Sequence, residues 1–97
     1  MAHRLSLEAE ADLDELWYHV ASNSSVDIAD RLTDSISTRF FLLGTHPRAG
    51  RRRDDLRPGV RMFPVREYVI LYRVDRNDVL IQRVVRGSPI DRCPPQL

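Results

Sequence analysis

Chemistry near neutral pH needs side chains that exchange protons, ligate a metal or meet a phosphate, and this 97-residue sequence has few of the first two kinds. Its histidines are His3, His19 and His46, and its tyrosines are Tyr18, Tyr68 and Tyr72. No histidine pair has a metal-ligand spacing. The single Cys93 stands among C-terminal prolines, so neither a disulfide framework nor a cysteine-rich metal site is available. There is no Gly-rich phosphate loop and no nucleophile elbow, and Ser88 after Gly87 lacks the flanking pattern of one. Asp54 and Asp55 adjoin Arg51, Arg52 and Arg53, where pairing with arginine is simpler than a carboxylate dyad. The residues therefore predict no catalytic set, no metal and no cofactor.

Arginine is the informative residue type. All fifteen basic residues are Arg, whose planar fork suits carboxylates, phosphates and aromatic faces. Residues 1–50 hold 4 Arg and 8 acids (−4), and residues 51–97 hold 11 Arg and 6 acids (+5), so the net charge of +1 conceals a basic second half. Arg61, Arg73, Arg83 and Arg86 fall on predicted strands, where a long cation needs an open face or an anion. Two readings fit. One is a solvated sheet face with salt bridges to Glu67, Asp75 or Asp78; the other is a basic surface for nucleic acid or an acidic protein segment.

The elements that must carry these residues follow from periodicity. Arg4 to Leu7 alternates and predicts a short first strand. Ser6 as N-cap, Glu8 and Glu10 in the first turn, and Ala9, Leu13, Leu16, Trp17 and Val20 at helical spacing predict a helix over about 7–21. Asp12, Asp14 and Glu15 read as its solvated face. A second helix starts at Ser24 or Ser25, carries Ala29, Leu32, Ile36, Phe40 and Leu43 inward, and stops at Gly44 before His46-Pro47. Phe41 and Leu42 widen its apolar face, so either the sheet or another protein covers them.

Residues 47–58 read as a loop. Val60 to Val65 and Tyr68 to Val74 form a predicted hairpin about Arg66-Glu67, with Pro64 marking a bulge or an exposed edge. Tyr68 to Tyr72 is apolar on both faces, as a central strand is. Asp75 to Asp78 is a turn, Val79 to Arg86 the last strand, and residues 88–97 an irregular tail. The fold class is thus α+β in the order β-α-α-β-β-β, a helical hairpin on one face of an antiparallel sheet. One domain is all that 97 residues can build. No apolar run reaches the roughly 18 residues of a membrane span and the N-terminus is acidic where a signal peptide is apolar, so a cytoplasmic protein is expected.

From about Leu5 to Asp91 the chain resembles the ParE branch of the RelE/ParE toxin superfamily. The likeness is carried by Ala9, Asp12-Leu13 and Trp17, by Ala29, Ile36 and Leu43, and by His46-Pro47 with Gly50-Arg51. It continues through the run from Arg53 to Arg61 (RDDLRPGVR), Tyr68 to Arg73 and Arg83 to Gly87. The resemblance implies a toxin that inhibits DNA gyrase by binding, with no membrane and no sequence-specific DNA contact of its own. It also implies a hetero-oligomer with a ParD-like antitoxin that has a ribbon-helix-helix N-terminus and a C-terminal segment wrapping the toxin. Under it, Arg57, Arg61, Arg73, Arg83 and Arg86 are candidates for the target, and Leu13, Trp17, Ile36, Phe40 and Phe41 for the antitoxin. RelE-like members instead cut mRNA on the ribosome using basic residues and a C-terminal Tyr or His. The segment after Arg86 has neither, leaving Tyr72 as the only strand residue able to serve as acid or base. A non-toxic antitoxin-binding module is the remaining alternative.

Overall fold

A computed structural model describes residues 2–76 and 78–87. The tail read over 88–97, with Cys93 in it, lies outside the described residues. So does Asn77 in the predicted turn.

The chain opens with β1 (Ala2–Leu5), two residues earlier than the alternation of Arg4 to Leu7 predicted. Ser6 ends the strand because its hydroxyl caps the following helix, accepting from the Ala9 amide at 3.0 Å. Helix α1 (Leu7–Asn23) begins there and α2 (Val26–Thr45) begins after Ser25, whose hydroxyl accepts from the Ile28 amide at 3.1 Å. A serine cap contributes about 1 kcal/mol by satisfying an amide that has no intrahelical partner. Helix α2 runs through Gly44, where the sequence predicted its end, because the glycine is buried within the last turn and needs no left-handed backbone there. The two helices form an antiparallel hairpin across Ser24 and Ser25.

The sheet follows as β2 (Arg51–Arg52), β3 (Arg61–Val65), β4 (Tyr68–Asp75) and β5 (Asp78–Arg86), in the order β1-β5-β4-β3-β2. Strand β4 is central, as its two-sided apolar character predicted. Two features differ from the sequence reading. Strand β1 pairs parallel with β5, so the sheet is mixed rather than wholly antiparallel. A four-residue alternating strand has no signature of direction; here the helical hairpin lies between the parallel partners as a crossover. Strand β2 lies inside the predicted loop, because two arginines pair with Met62 and Arg61 without any apolar pattern. Beyond that pairing Pro64 stands on the open edge of β3, where its missing N–H costs no ladder bond.

The core lies between the hairpin and one sheet face. Ile36, Leu43, Ile70, Tyr72, Val79 and Ile81 are fully buried in it. The ladder between β4 and β5 shifts at Leu71/Tyr72: Tyr72 faces Ile81 but Leu71 faces Arg83, leaving Gln82 as an extra residue. Strict alternation from Val79 and Ile81 would send Arg83 into the core. The bulge turns it out and places Val84 there instead. Neither described helix is long and apolar enough to cross a membrane.

Candidate functional site

Arg83 is held where the bulge puts it. Its Nε donates to Asp12 Oδ2 at 2.7 Å and its Nη2 to Asp12 Oδ1 at 3.0 Å, a fork-on-carboxylate geometry. The same carboxylate accepts the Val84 amide at 3.0 Å, and the Ser6 hydroxyl donates to the Gln82 carbonyl at 2.8 Å. Strand β1 has ended by then, so α1 supplies the partners that the edge of β5 would otherwise lack. Burial pushes the Asp12 carboxyl upward, but the hydrogen bonds from Arg83 and Val84 and the charge of Arg83 outweigh it and hold the pKa below the usual carboxylate value. The hydrogen bonds and charge of Asp12 raise the Arg83 pKa in turn. Asp12 is therefore not part of a solvated face. It lies three residues after buried Ala9 and four before buried Leu16, on the inward stripe, and that spacing was the signal for it.

Tyr72 anchors the segment before β2. Its hydroxyl donates to the Pro47 carbonyl and accepts from the Gly50 amide, both at 2.7 Å. Arg61 Nη1 donates to the Gly50 carbonyl at 2.8 Å. A Cβ at Gly50 would overlap the Tyr72 ring and hydroxyl, so glycine is required by close approach. Burial raises the Tyr72 pKa, with the Gly50 hydrogen bond and Arg61 opposing it. A phenol committed to two backbone groups and pushed to higher pKa is poorly suited to exchange protons at neutral pH.

The arginine and aspartate loop pairs internally. Arg52 meets Asp54 at 2.8 Å and Arg53 meets Asp55 at 2.9 Å, while Asp54 also accepts the Gly59 amide at 2.9 Å. The Gly59 hydrogen bond foremost, then Arg52, lowers the Asp54 pKa; the Arg53 hydrogen bond does the same for Asp55. This closes residues 53–60 over the sheet face opposite the helices.

The five candidate arginines do not form one patch. Arg57 and Arg83 line a groove of about 520 Å3 on that opposite face, floored by Leu71, Leu80 and Val60 and flanked by Leu56 and Glu8. Arg73 pairs in register with Leu80, and is exposed without a salt bridge among the described residues. Arg61 is tied to Gly50. Arg86 ends β5 beside Glu67 at 3.5 Å; it shares a shallow groove with Arg83 along Asp12, Glu15 and His19 and also lines a separate cleft with Arg31 and Arg66.

Of the antitoxin candidates, Ile36 and Phe40 are corrected: both are core residues without surface to offer a partner. Their place in the inward stripe of α2 decides this. Leu13 packs half-buried against the core. Trp17 is half-buried, donating Nε1–H to Asp30 at 2.8 Å across the hairpin. Phe41 is 67% exposed and makes an edge contact with His3, at 4.9 Å between ring centroids. Sequence reading missed Tyr18, Ile28 and Leu56, which are also exposed apolar side chains. No signal distinguished them, since each lies near an apolar stripe or in a polar loop. Among the described residues no trio of His, Cys, Asp or Glu is placed to hold a metal ion.

Comparison with known proteins agrees with this geometry. The sequence model described as the ParE toxin of the type II toxin-antitoxin system parDE matches residues 4–90. The chain is 41% identical over 76 residues to Toxin ParE3 of Caulobacter vibrioides, covering 78% of this chain and 76% of that one. It is 31% identical over 86 residues to Toxin ParE1 of the same organism, covering 89% and 88%. In shape it is similar to a chain of the chromosomal ParDE TA system from P. aeruginosa, with a TM-score of 0.80 at 23% identity, over 91% of this chain and 97% of that one.

Proposed function

The chain belongs to the ParE family of toxins of type II toxin-antitoxin systems, and from that premise we propose that it arrests growth by binding DNA gyrase in the cytoplasm. It catalyses nothing itself. It is neutralised by a ParD-type antitoxin, with a ribbon-helix-helix N-terminus, in a hetero-oligomer.

One observation carries the choice of a binding toxin over a nuclease. Tyr72, the phenol nominated from the sequence, uses both of its hydrogen-bonding directions to hold Pro47 and Gly50, and the other phenol on β4, Tyr68 opposite Arg86, is buried. Arginine stabilises a phosphorane but does not exchange protons near pH 7, so Arg61, Arg73, Arg83 and Arg86 do not by themselves make an acid-base set. A protein that acts by occupying its target needs no such group.

The antitoxin reading draws support from the groove of Leu56, Leu71 and Leu80. Its floor is apolar and its rim nearly neutral, since Glu8 offsets Arg57 and Asp12 offsets Arg83. An amphipathic segment fits such a groove. Exposed Phe41 offers that partner a second apolar contact.

Expression of the chain alone tests the toxin class. Growth should stop, and co-expression of a ParD-type antitoxin should restore it and co-purify with the chain. Undisturbed growth from a folded, expressed chain identifies a non-toxic binding module instead.

A further inference from the structure

A cleft of about 450 Å3 separates the tip of the helical hairpin from the turn between β3 and β4. Its apolar lining comes from exposed Ile28, half-buried Val20 and Leu32 and buried Tyr68. Three cations, Arg31, Arg66 and Arg86, share it with a single acid, Glu67, leaving a formal charge of +2 on those four residues. Arg31 and Arg66 form no salt bridge among the described residues. The pair between Arg86 and Glu67 spans 3.5 Å with both side chains about two-thirds exposed, so it neutralises little.

Arg66 also holds φ at 56°, in the left-handed region that favours glycine. The register from Val65 to Tyr68 makes Arg66-Glu67 a two-residue hairpin loop, in which glycine or asparagine would satisfy the turn with less strain. An arginine in such a position, on the rim of a cationic cleft, is a backbone outlier coinciding with an anion-attracting site.

We infer that this cleft docks an acidic peptide segment of the target topoisomerase. An apolar side chain of that segment would rest on Val20, Leu32 and Tyr68, with its carboxylate among Arg31, Arg66 and Arg86. The inference rests on the gyrase-directed reading above. A peptide suits the lining better than nucleic acid does, because bases require an exposed stacking platform and Tyr68 is buried. The cleft shares no lining residue with the groove of Leu56, Leu71 and Leu80, and the two differ in charge, so target and antitoxin have separate first contacts.

The test compares the wild type with Arg31→Glu/Arg66→Glu and with Arg66→Gly. Each is assayed for the concentration that halves gyrase supercoiling and for affinity to a purified ParD-type antitoxin. The double variant should need about tenfold more protein or greater, and Arg66→Gly about threefold more, from removal of cations facing an acidic partner. Arg66→Gly should unfold at the same or higher urea concentration, since glycine relieves the turn, and it serves as the test if the double variant is unstable. Antitoxin affinity should stay within about twofold, as for non-overlapping surfaces. If the wild type does not inhibit gyrase, the gyrase reading fails and takes this inference with it. If the wild type inhibits and both variants inhibit equally well, only the cleft assignment fails. A matching loss of antitoxin affinity makes the antitoxin the occupant and overturns the assignment. So does wild-type binding to a short DNA duplex that both variants lose.

Discussion

Asp12 on α1 and Arg83 on β5, 71 residues apart, meet through two hydrogen bonds of 2.7 and 3.0 Å while Asp12 also caps the Val84 amide. One carboxylate thus joins helix to sheet and fixes the strand at its bulge. The Asp12 side chain is only 12% exposed, which makes this pair unlike the surface pairs at Arg52 or Arg86. The apparent target arginine on the last strand has a structural occupation.

Replacing Asp12 by Ala should cost about 1–3 kcal/mol in urea unfolding, because the Val84 amide and one face of Arg83 lose their acceptor. Asp12→Asn keeps an acceptor and should cost less. The folded pKa of Asp12 is lowered, so the unfolded chain takes up this proton at higher pH than the folded chain does. The Asp12 contribution is therefore complete above the ordinary carboxylate pKa, about 4, and is lost as pH falls through the lower folded value. The stability gap between wild type and Asp12→Asn should narrow over that acidic window and stay constant from pH 6 to 8.

Tyr72→Phe leaves the Gly50 amide and the Pro47 carbonyl without their partner and should destabilise by about 1–3 kcal/mol. Gly50→Ala forces its methyl against the same ring and should cost a similar amount, about 1–3 kcal/mol, by overpacking. Because the phenol is structural, Tyr72→Phe that remains folded should inhibit gyrase as the wild type does. Folded Tyr72→Phe that has lost all toxicity would assign it a functional role instead.

Ile36 and Phe41 separate packing from partner contact along one helix. Ile36→Ala should destabilise by about 2–5 kcal/mol, enough to unfold much of the population of a domain this small. Phe41→Ala should alter stability by no more than about 0.5 kcal/mol. It should weaken antitoxin binding in calorimetry while leaving the denaturation midpoint in place.

Much of the frame was legible in the sequence. Serine caps, first-turn acids and the 3.6-residue stripe of α2 marked both helices, and the apolar run from Tyr68 to Tyr72 marked the central strand. What periodicity could not convey was chain direction at β1 and the ladder shift at Gln82, which reverses strand parity for Arg83. That shift turns Arg83 out of the core and onto the sheet face that carries Leu71 and Leu80. The loop pairs Arg52 to Asp54 and Arg53 to Asp55 could be anticipated from adjacency, but Tyr72 reaching Gly50 joins positions 22 residues apart and depends on the folded sheet. Burial of Ile36 and Phe40 was implicit in their stripe; exposure of Phe41 followed only once the sheet's width was fixed.

Adding the purified, folded chain to gyrase, ATP and relaxed plasmid shows whether the toxin acts by binding gyrase. Supercoiling should fall and cleaved plasmid accumulate as the toxin is added, and a ParD-type antitoxin should reverse both effects. Undiminished supercoiling without added cleavage, together with codon-positioned cuts in mRNA on translating ribosomes, would make the chain a ribosome-dependent nuclease and not a gyrase-binding toxin.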